Sequence, residues 1–134
     1  MKEKKQRITV KSVHYCLKNL GDPVALKQSA LIALPPVASA SRRYNRSQWA
    51  QAYALRDLLV EVCNDILTIE TSDQRMQRAL YFLRLYLESP NVAAAARALK
   101  MDRKNVYTCV MPIAFGLVAE QLERASLATR ANTP

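Results

Sequence analysis

Only two of the 134 residues are glycine, and alternating apolar–polar runs bounded by turn residues are nearly absent, which argues against a sheet protein. Cysteine occurs three times, at positions 16, 63 and 109. That odd, widely spaced set offers neither a disulfide framework nor the paired spacing of a zinc site. Cys16, Cys63 and Cys109 all fall on apolar helix faces and read as core thiols. No apolar run approaches the roughly 20 residues needed to cross a bilayer, and the start, MKEKKQR, is basic without the apolar core of a signal peptide. These absences predict a cytoplasmic protein with no membrane partner. His14, the single histidine, has no obvious carboxylate or cysteine partner in the sequence. Phosphate loops, nucleophile elbows, metal-ligand clusters and paired catalytic acids are missing, so neither an enzyme nor a cofactor is expected.

What the chain has is helix-forming residues and positive charge. Half of its residues are apolar, with alanine and leucine abundant, so one helical core is expected. The formal charge is +9. The whole surplus sits in Met1 to Arg7, in Ser41 to Arg46 and in Arg97 to Lys104; elsewhere nine bases face nine acids. Such confinement is the electrostatic footprint of a protein that binds a polyanion. Asp57, Glu61 and Asp65, four apart on one helix face, read as a solvated acidic stripe.

Along the chain, residues 1–8 read as a basic flexible tail and residues 9–47 as a helical segment with a basic linker. Residues 48–128 read as a further helical region, continuous with 9–47 in one domain, and 129–134 as a frayed tail. Thr9 caps a helix that Gly21 ends, and Asp22-Pro23 opens another that runs to about Leu34, where Pro35-Pro36 stops it. PPVASASRRYNRS is then a loop. Ser47 caps a long helix to about Leu67 that buries Ala52, Leu55, Leu59, Val62, Cys63 and Ile66. Trp49 and Tyr53, at its start, read as packing residues. Thr71 and Gln74 have capping-box spacing for a helix to Glu88 that buries Met76, Ala79, Leu80, Leu83 and Leu87. A last helix from about Ile113 to Ala128 buries Phe115, Val118 and Leu122.

Val92 to Met111, VAAAARALKMDRKNVYTCVM, reads as a helix-turn-helix. Ala95, Ala96 and Leu99 form the buried face of a first short helix, with Ala96 small enough for a steep crossing. Lys100, Met101 and Asp102 make the turn, and the Asp102 carboxylate caps a second helix. Val106, Cys109 and Val110 point inward; Arg103, Lys104, Tyr107, Thr108 and Met111 point outward. Arginine and lysine are the commonest readers of guanine edges and phosphates. The candidate DNA-binding residues are therefore Arg103, Lys104, Tyr107 and Thr108 on the reading helix. Arg97 and Lys100 would contact phosphates beside it, and Arg42, Arg43 and Arg46 would do so from the basic segment, with Tyr44 beside them.

Residues 73–124, DQRMQRALYFLRLYLESPNVAAAARALKMDRKNVYTCVMPIAFGLVAEQLER, resemble the region-4 module of bacterial sigma factors and related regulators. LYFLRLYLES takes the place of the helix leading into an alanine-rich helix and then a reading helix; Ala96, Leu99, Met101, Val106 and Tyr107 match the pattern. LKNLGDPVALKQSALIAL and ALRDLLVEVCNDIL are similar to a helical segment that precedes such modules in some bacterial regulatory proteins. Two departures stand out. Lys100 occupies the turn position usually held by glycine, where a left-handed conformation would cost about 1 kcal/mol, so a differently built turn is expected. Pro112 should end or kink the reading helix.

The resulting expectation is an all-α protein of five to six helices with a C-terminal helix-turn-helix. It would be a bacterial or phage transcriptional regulator that binds double-stranded DNA. One such module rarely binds tightly alone, so a homo-oligomer or a larger protein partner is expected, with the first half or the last helix through Leu117, Val118 and Leu122 as its interface. Three alternatives use the same features: a phage DNA-packaging recognition subunit, an adaptor that binds protein within a nucleoprotein complex, and an RNA-binding accessory protein.

Overall fold

The computed structural model describes residues 8–44 and 47–131, with side chains to Thr129. The basic tail before Ile8, Arg46 of the linker and the last three residues lie outside them. Every regular element among the described residues is helical. The α-helices are α1 (Val10–Lys18), α2 (Pro23–Lys27), α3 (Pro35–Ala40), α4 (Ala50–Ile66), α5 (Gln74–Glu88), α6 (Val92–Leu99), α7 (Arg103–Asn105) and α8 (Met111–Ala131). Short 3-10 turns at Ala30–Ala33 and Ser41–Tyr44 flank α3, and a π-helical turn, Val106–Val110, joins α7 to α8 without a break. No helix among the described residues is long and apolar enough to cross a membrane.

Local chemistry explains most of the boundaries. Thr9 and Ser12 form a reciprocal capping box at the start of α1. The Asp22 carboxylate accepts from the N–H groups of Val24 and Ala25, and Pro23 supplies a first helical residue with its φ already set. The helix expected from Asp22 to Leu34 nevertheless stops at Lys27. Ser29 breaks it: its buried hydroxyl accepts from the Leu31 N–H and from the Cys16 thiol, a local alternative to helical pairing. Pro35 and Pro36 begin a helix rather than stopping one, because both lie in the first turn, where an N–H has no helical partner. The segment expected to be a loop from residue 35 onward therefore contains α3, with Val37 fully buried.

Two caps differ from their expected positions. Ser47 accepts from the Trp49 N–H in a turn, and α4 starts at Ala50 without a side-chain cap. Asp73, rather than Thr71, caps α5 by accepting from the Arg75 N–H, while Thr71 accepts from Asp73. The structure also extends the ordered ends. Ile8, assigned to the tail, packs on the core, and α8 continues past Ala128 to Ala131.

Helix α8 is the hub: α1, α3, α4 and α5 all pack on it. The second and third helices and the 3-10 turns pack on α4, while α6 packs on α5. All six residues expected on the inner face of α4 are buried. On α5, however, the buried residues are Ala79, Phe82, Leu83 and Tyr86, and Met76, Leu80 and Leu87 are only half-buried. The face turns toward an aromatic cluster formed by Phe82, Tyr86, Phe115 of α8 and His14 of α1. Phe115 lies 5.3 Å from His14, 5.5 Å from Tyr86 and 5.7 Å from Phe82, centroid to centroid. The His14 Nε2 shares a 3.0 Å hydrogen bond with the Tyr86 hydroxyl, a partner 72 residues away in the chain. Burial, and then the Lys18 charge, hold the His14 imidazole below its usual pKa. Burial pushes the Tyr86 phenol up to about 12, and the nearby Tyr107 phenol adds to this.

Phe115, Val118 and Leu122 are fully buried. The last two are thus committed to the core and do not form the intermolecular face expected of the last helix.

Candidate nucleic-acid interface

Helix α6 is short, and its sequence explains how it is held. The Asn91 side chain caps it by accepting from the Ala94 N–H at 3.1 Å. Val92, Ala95 and Ala96 are buried and Leu99 is half-buried, so the alanine face lies toward α5, where a larger residue would separate the helices. The helix ends in a Schellman arrangement: the Met101 N–H donates to the Ala96 carbonyl at 3.0 Å and the Lys100 N–H to the Arg97 carbonyl at 3.1 Å.

This geometry requires a left-handed residue, and Lys100 takes it, with φ 57° and ψ 45°. The turn is therefore the ordinary left-handed one despite the lysine. The backbone bonds and the burial of Ala95 and Ala96 outweigh the steric cost at a single residue. Lys100→Gly is expected to raise stability by about 1 kcal/mol by removing that cost, measured as an increased urea midpoint at unchanged slope. A loss of stability would mean that the lysine side chain itself holds the turn.

Asp102 occupies the N-cap position of α7, but its carboxylate accepts no capping hydrogen bond, contrary to expectation. The outward set is otherwise largely as the spacing predicts. Arg103, Lys104, Tyr107 and Thr108 are all exposed, while Val106 and Val110 are buried. Positions i, i+1, i+4 and i+5 share one side of a helix. Thr108 donates its hydroxyl hydrogen to the Lys104 carbonyl at 2.9 Å, leaving acceptor lone pairs for a partner.

Cys109 and Met111 exchange places relative to expectation: Cys109 is exposed and Met111 is buried. The cause is the π-helical turn, whose Met111 N–H reaches back five residues to the Val106 carbonyl. One extra residue in the turn rotates Cys109 outward and brings Met111 to the core. The same turn accommodates Pro112, which neither ends nor interrupts the helical run. A proline ring clashes with the carbonyl four residues earlier in a regular α-helix, and a wide turn moves that carbonyl aside.

Arg97 and Lys100 are exposed at the end of α6 and in the turn, next in sequence to Arg103 and Lys104. None of these four cations forms an ion pair among the described residues. Arg42 and Arg43, on the 3-10 turn packed against α4, are also exposed and form no ion pair among the described residues. No packing between that turn and α6 is among the principal contacts of the described residues. Tyr44 beside them is engaged internally: it donates to the Asp57 carboxylate and lies 5.5 Å from the Tyr53 ring. The aromatic side chains at the start of α4 also carry cations from the chain itself, Lys27 over Trp49 at 5.4 Å and Arg56 over Tyr53 at 5.0 Å.

Asp57, Glu61 and Asp65 are exposed, with Asp57 paired to Arg56 at 3.1 Å. No cluster that could hold a metal ion occurs among the described residues. The linear reading overlooked Arg75, Arg78 and Asn105. Together with Met101, Cys109, Val110 and Ile113 they line an open groove of about 540 Å³ between the start of α5 and the helix beginning at Arg103. The signal in the sequence was weak, because Arg75 and Arg78 are balanced by acids in the linear charge count. No family model matches the chain, and no curated protein or solved structure matches it.

Proposed function

We propose that this chain binds double-stranded DNA. In this reading, α6 and the helix from Arg103 act as a helix-turn-helix like that of sigma-factor region 4, in a bacterial or phage transcriptional regulator. The observation that carries it is the corner between the two helices. Its inner side is Ala95, Ala96, Val106 and Val110, and its outer side holds Arg97, Lys100, Arg103 and Lys104, exposed and without carboxylate partners among the described residues. Four cations against the single acid Asp102 leave a net charge of +3 around one short turn, which favours a polyanion. Arg103, Lys104, Tyr107 and Thr108 would face the major groove; Arg97 and Lys100 would contact phosphates and set the register. Arg42 and Arg43, with Arg46, would add sequence-independent affinity. A homo-oligomer or a protein partner would supply the area that a single module lacks.

Fluorescence anisotropy with duplex DNA across a salt series tests this. Wild type should bind with a steep salt dependence. Arg103→Ala/Lys104→Ala should flatten it, and each side chain that reads a base should cost about 1–3 kcal/mol on its cognate site. Absence of binding at low salt, or binding indifferent to the double change, would reject the reading in favour of a protein-binding adaptor. Stronger competition by RNA than by duplex DNA would favour the RNA-binding alternative.

A further inference from the structure

We propose that the groove between α5 and the helix beginning at Arg103 is a second contact with the same duplex. It would hold the sugar–phosphate backbone flanking the groove that the helix enters, with Arg75 and Arg78 as its phosphate ligands. The proposal rests on the DNA-binding reading and extends it to residues that the linear charge distribution left out.

Three observations carry it. First, Arg75 and Arg78 are exposed, three residues apart and so neighbours on one helix face, and neither has an ion-pair partner among the described residues. Asp73, two residues before Arg75, is the nearest acid in sequence, but its carboxylate receives the Arg75 backbone N–H, not its guanidinium. Second, the placement opposes stability. Arg75 stands in the first turn of α5, where the aligned peptide dipoles present positive charge and a cation is disfavoured. An anion from outside the chain would relieve that unfavourable placement.

Third, the groove is continuous with the proposed DNA-binding face. Asn105 lines it and lies on the same helical stretch as Arg103 and Lys104. Met101, Val110 and Ile113 add apolar surface to the lining, suited to the carbon face of a deoxyribose between two phosphates. Small-molecule sites hold their polar groups fixed, whereas this groove is only half enclosed and its charged walls are long, exposed side chains. An extended polyanion fits it better than a small effector.

The test compares salt slopes for binding to random duplex DNA. Each phosphate contact contributes about 0.9 to the slope of log Kobs against log salt, so Arg75→Ala/Arg78→Ala should lower the slope by about 1.8. The loss should be alike on unrelated sequences. Arg75→Lys/Arg78→Lys, which keeps the point charges, should retain most of the slope. Arg84→Ala is the control: Arg84 is on the same helix but lines a different groove with Ile69 and Tyr81, and its loss should leave the slope unchanged.

An unchanged slope in Arg75→Ala/Arg78→Ala, with Arg103→Ala/Lys104→Ala still flattened, would overturn the groove contact and leave the DNA-binding reading standing. Flattening by Arg84→Ala of about 0.9, the share of one charge out of two, would also overturn it, by reducing the effect to net charge. Wild type that fails to bind duplex at low salt would overturn both.

Discussion

Phe115→Ala is expected to destabilise the protein by about 3–5 kcal/mol, a large part of the stability of a chain this size. Phe115 is fully buried in the hub helix α8, and its ring meets His14 of α1 and both Phe82 and Tyr86 of α5. Truncation removes the burial of the ring and also the edge-to-face and stacked geometry that the other three rings share through it. The cavity would lie where three helices meet, so the surroundings can collapse only by shifting one helix against another. Urea unfolding followed by circular dichroism measures the effect as a lower midpoint at similar slope. Phe115→Leu, which keeps much of the volume, should cost clearly less. If Phe115→Ala cost under about 1 kcal/mol, the aromatic cluster would not be the joint between α1, α5 and α8.

Ala96→Leu is expected to cost about 1–3 kcal/mol and to weaken duplex binding beyond that loss of stability. Ala96 is buried on α6, and its carbonyl accepts the Met101 N–H that closes the turn. The added carbons have no space between α6 and α5. The short helix must therefore move outward and carry Lys100 and the helix beginning at Arg103 with it. The comparison with Ala98→Leu separates packing from composition: Ala98 is exposed on the same helix, and leucine there should change little. Duplex binding measured well below the unfolding midpoint should fall for Ala96→Leu and hold for Ala98→Leu. Equal behaviour of the two would mean that the contact of α6 with α5 does not position the basic corner.

Particular elements show what could be read in advance. The inner face of α4 was legible because Ala52, Leu55, Leu59, Val62, Cys63 and Ile66 recur at helical spacing with polar residues between them. LYFLRLYL in α5 was ambiguous because apolar residues occupy more than one stripe of that helix, and periodicity alone cannot say which stripe turns inward. The aromatic partners from α1 and α8 made that choice. Pro35-Pro36 was ambiguous for a different reason: proline both follows helix ends and begins helices, and the burial of Val37 selected the second outcome. Cys109 and Met111 were misplaced because a single π-helical turn shifts the register of every residue after it, and local spacing carries no mark of such a turn.

In the candidate interface, the outward set of Arg103, Lys104, Tyr107 and Thr108 followed from spacing alone, since neighbouring residues on one helix face stay together wherever the helix lies. His14 and Tyr86, 72 positions apart, had no local signal to connect them.

The helical character of the chain, the starts of several helices and the places where its excess charge is concentrated could all be read from the residues in order. These properties depend on composition, capping residues and short-range periodicity, which act within a few residues. The tertiary structure alone decided which stripe of α5 faces the core, that Lys100 adopts a left-handed conformation, that the run into α8 passes through Pro112, and that Arg75 and Arg78 stand beside Asn105. The stripe of α5 and the meeting of Arg75 and Arg78 with Asn105 rest on residues distant in the chain, while the Lys100 turn and the passage through Pro112 set a local cost against nearby backbone bonds and the burial of the flanking residues, which short-range spacing does not reveal.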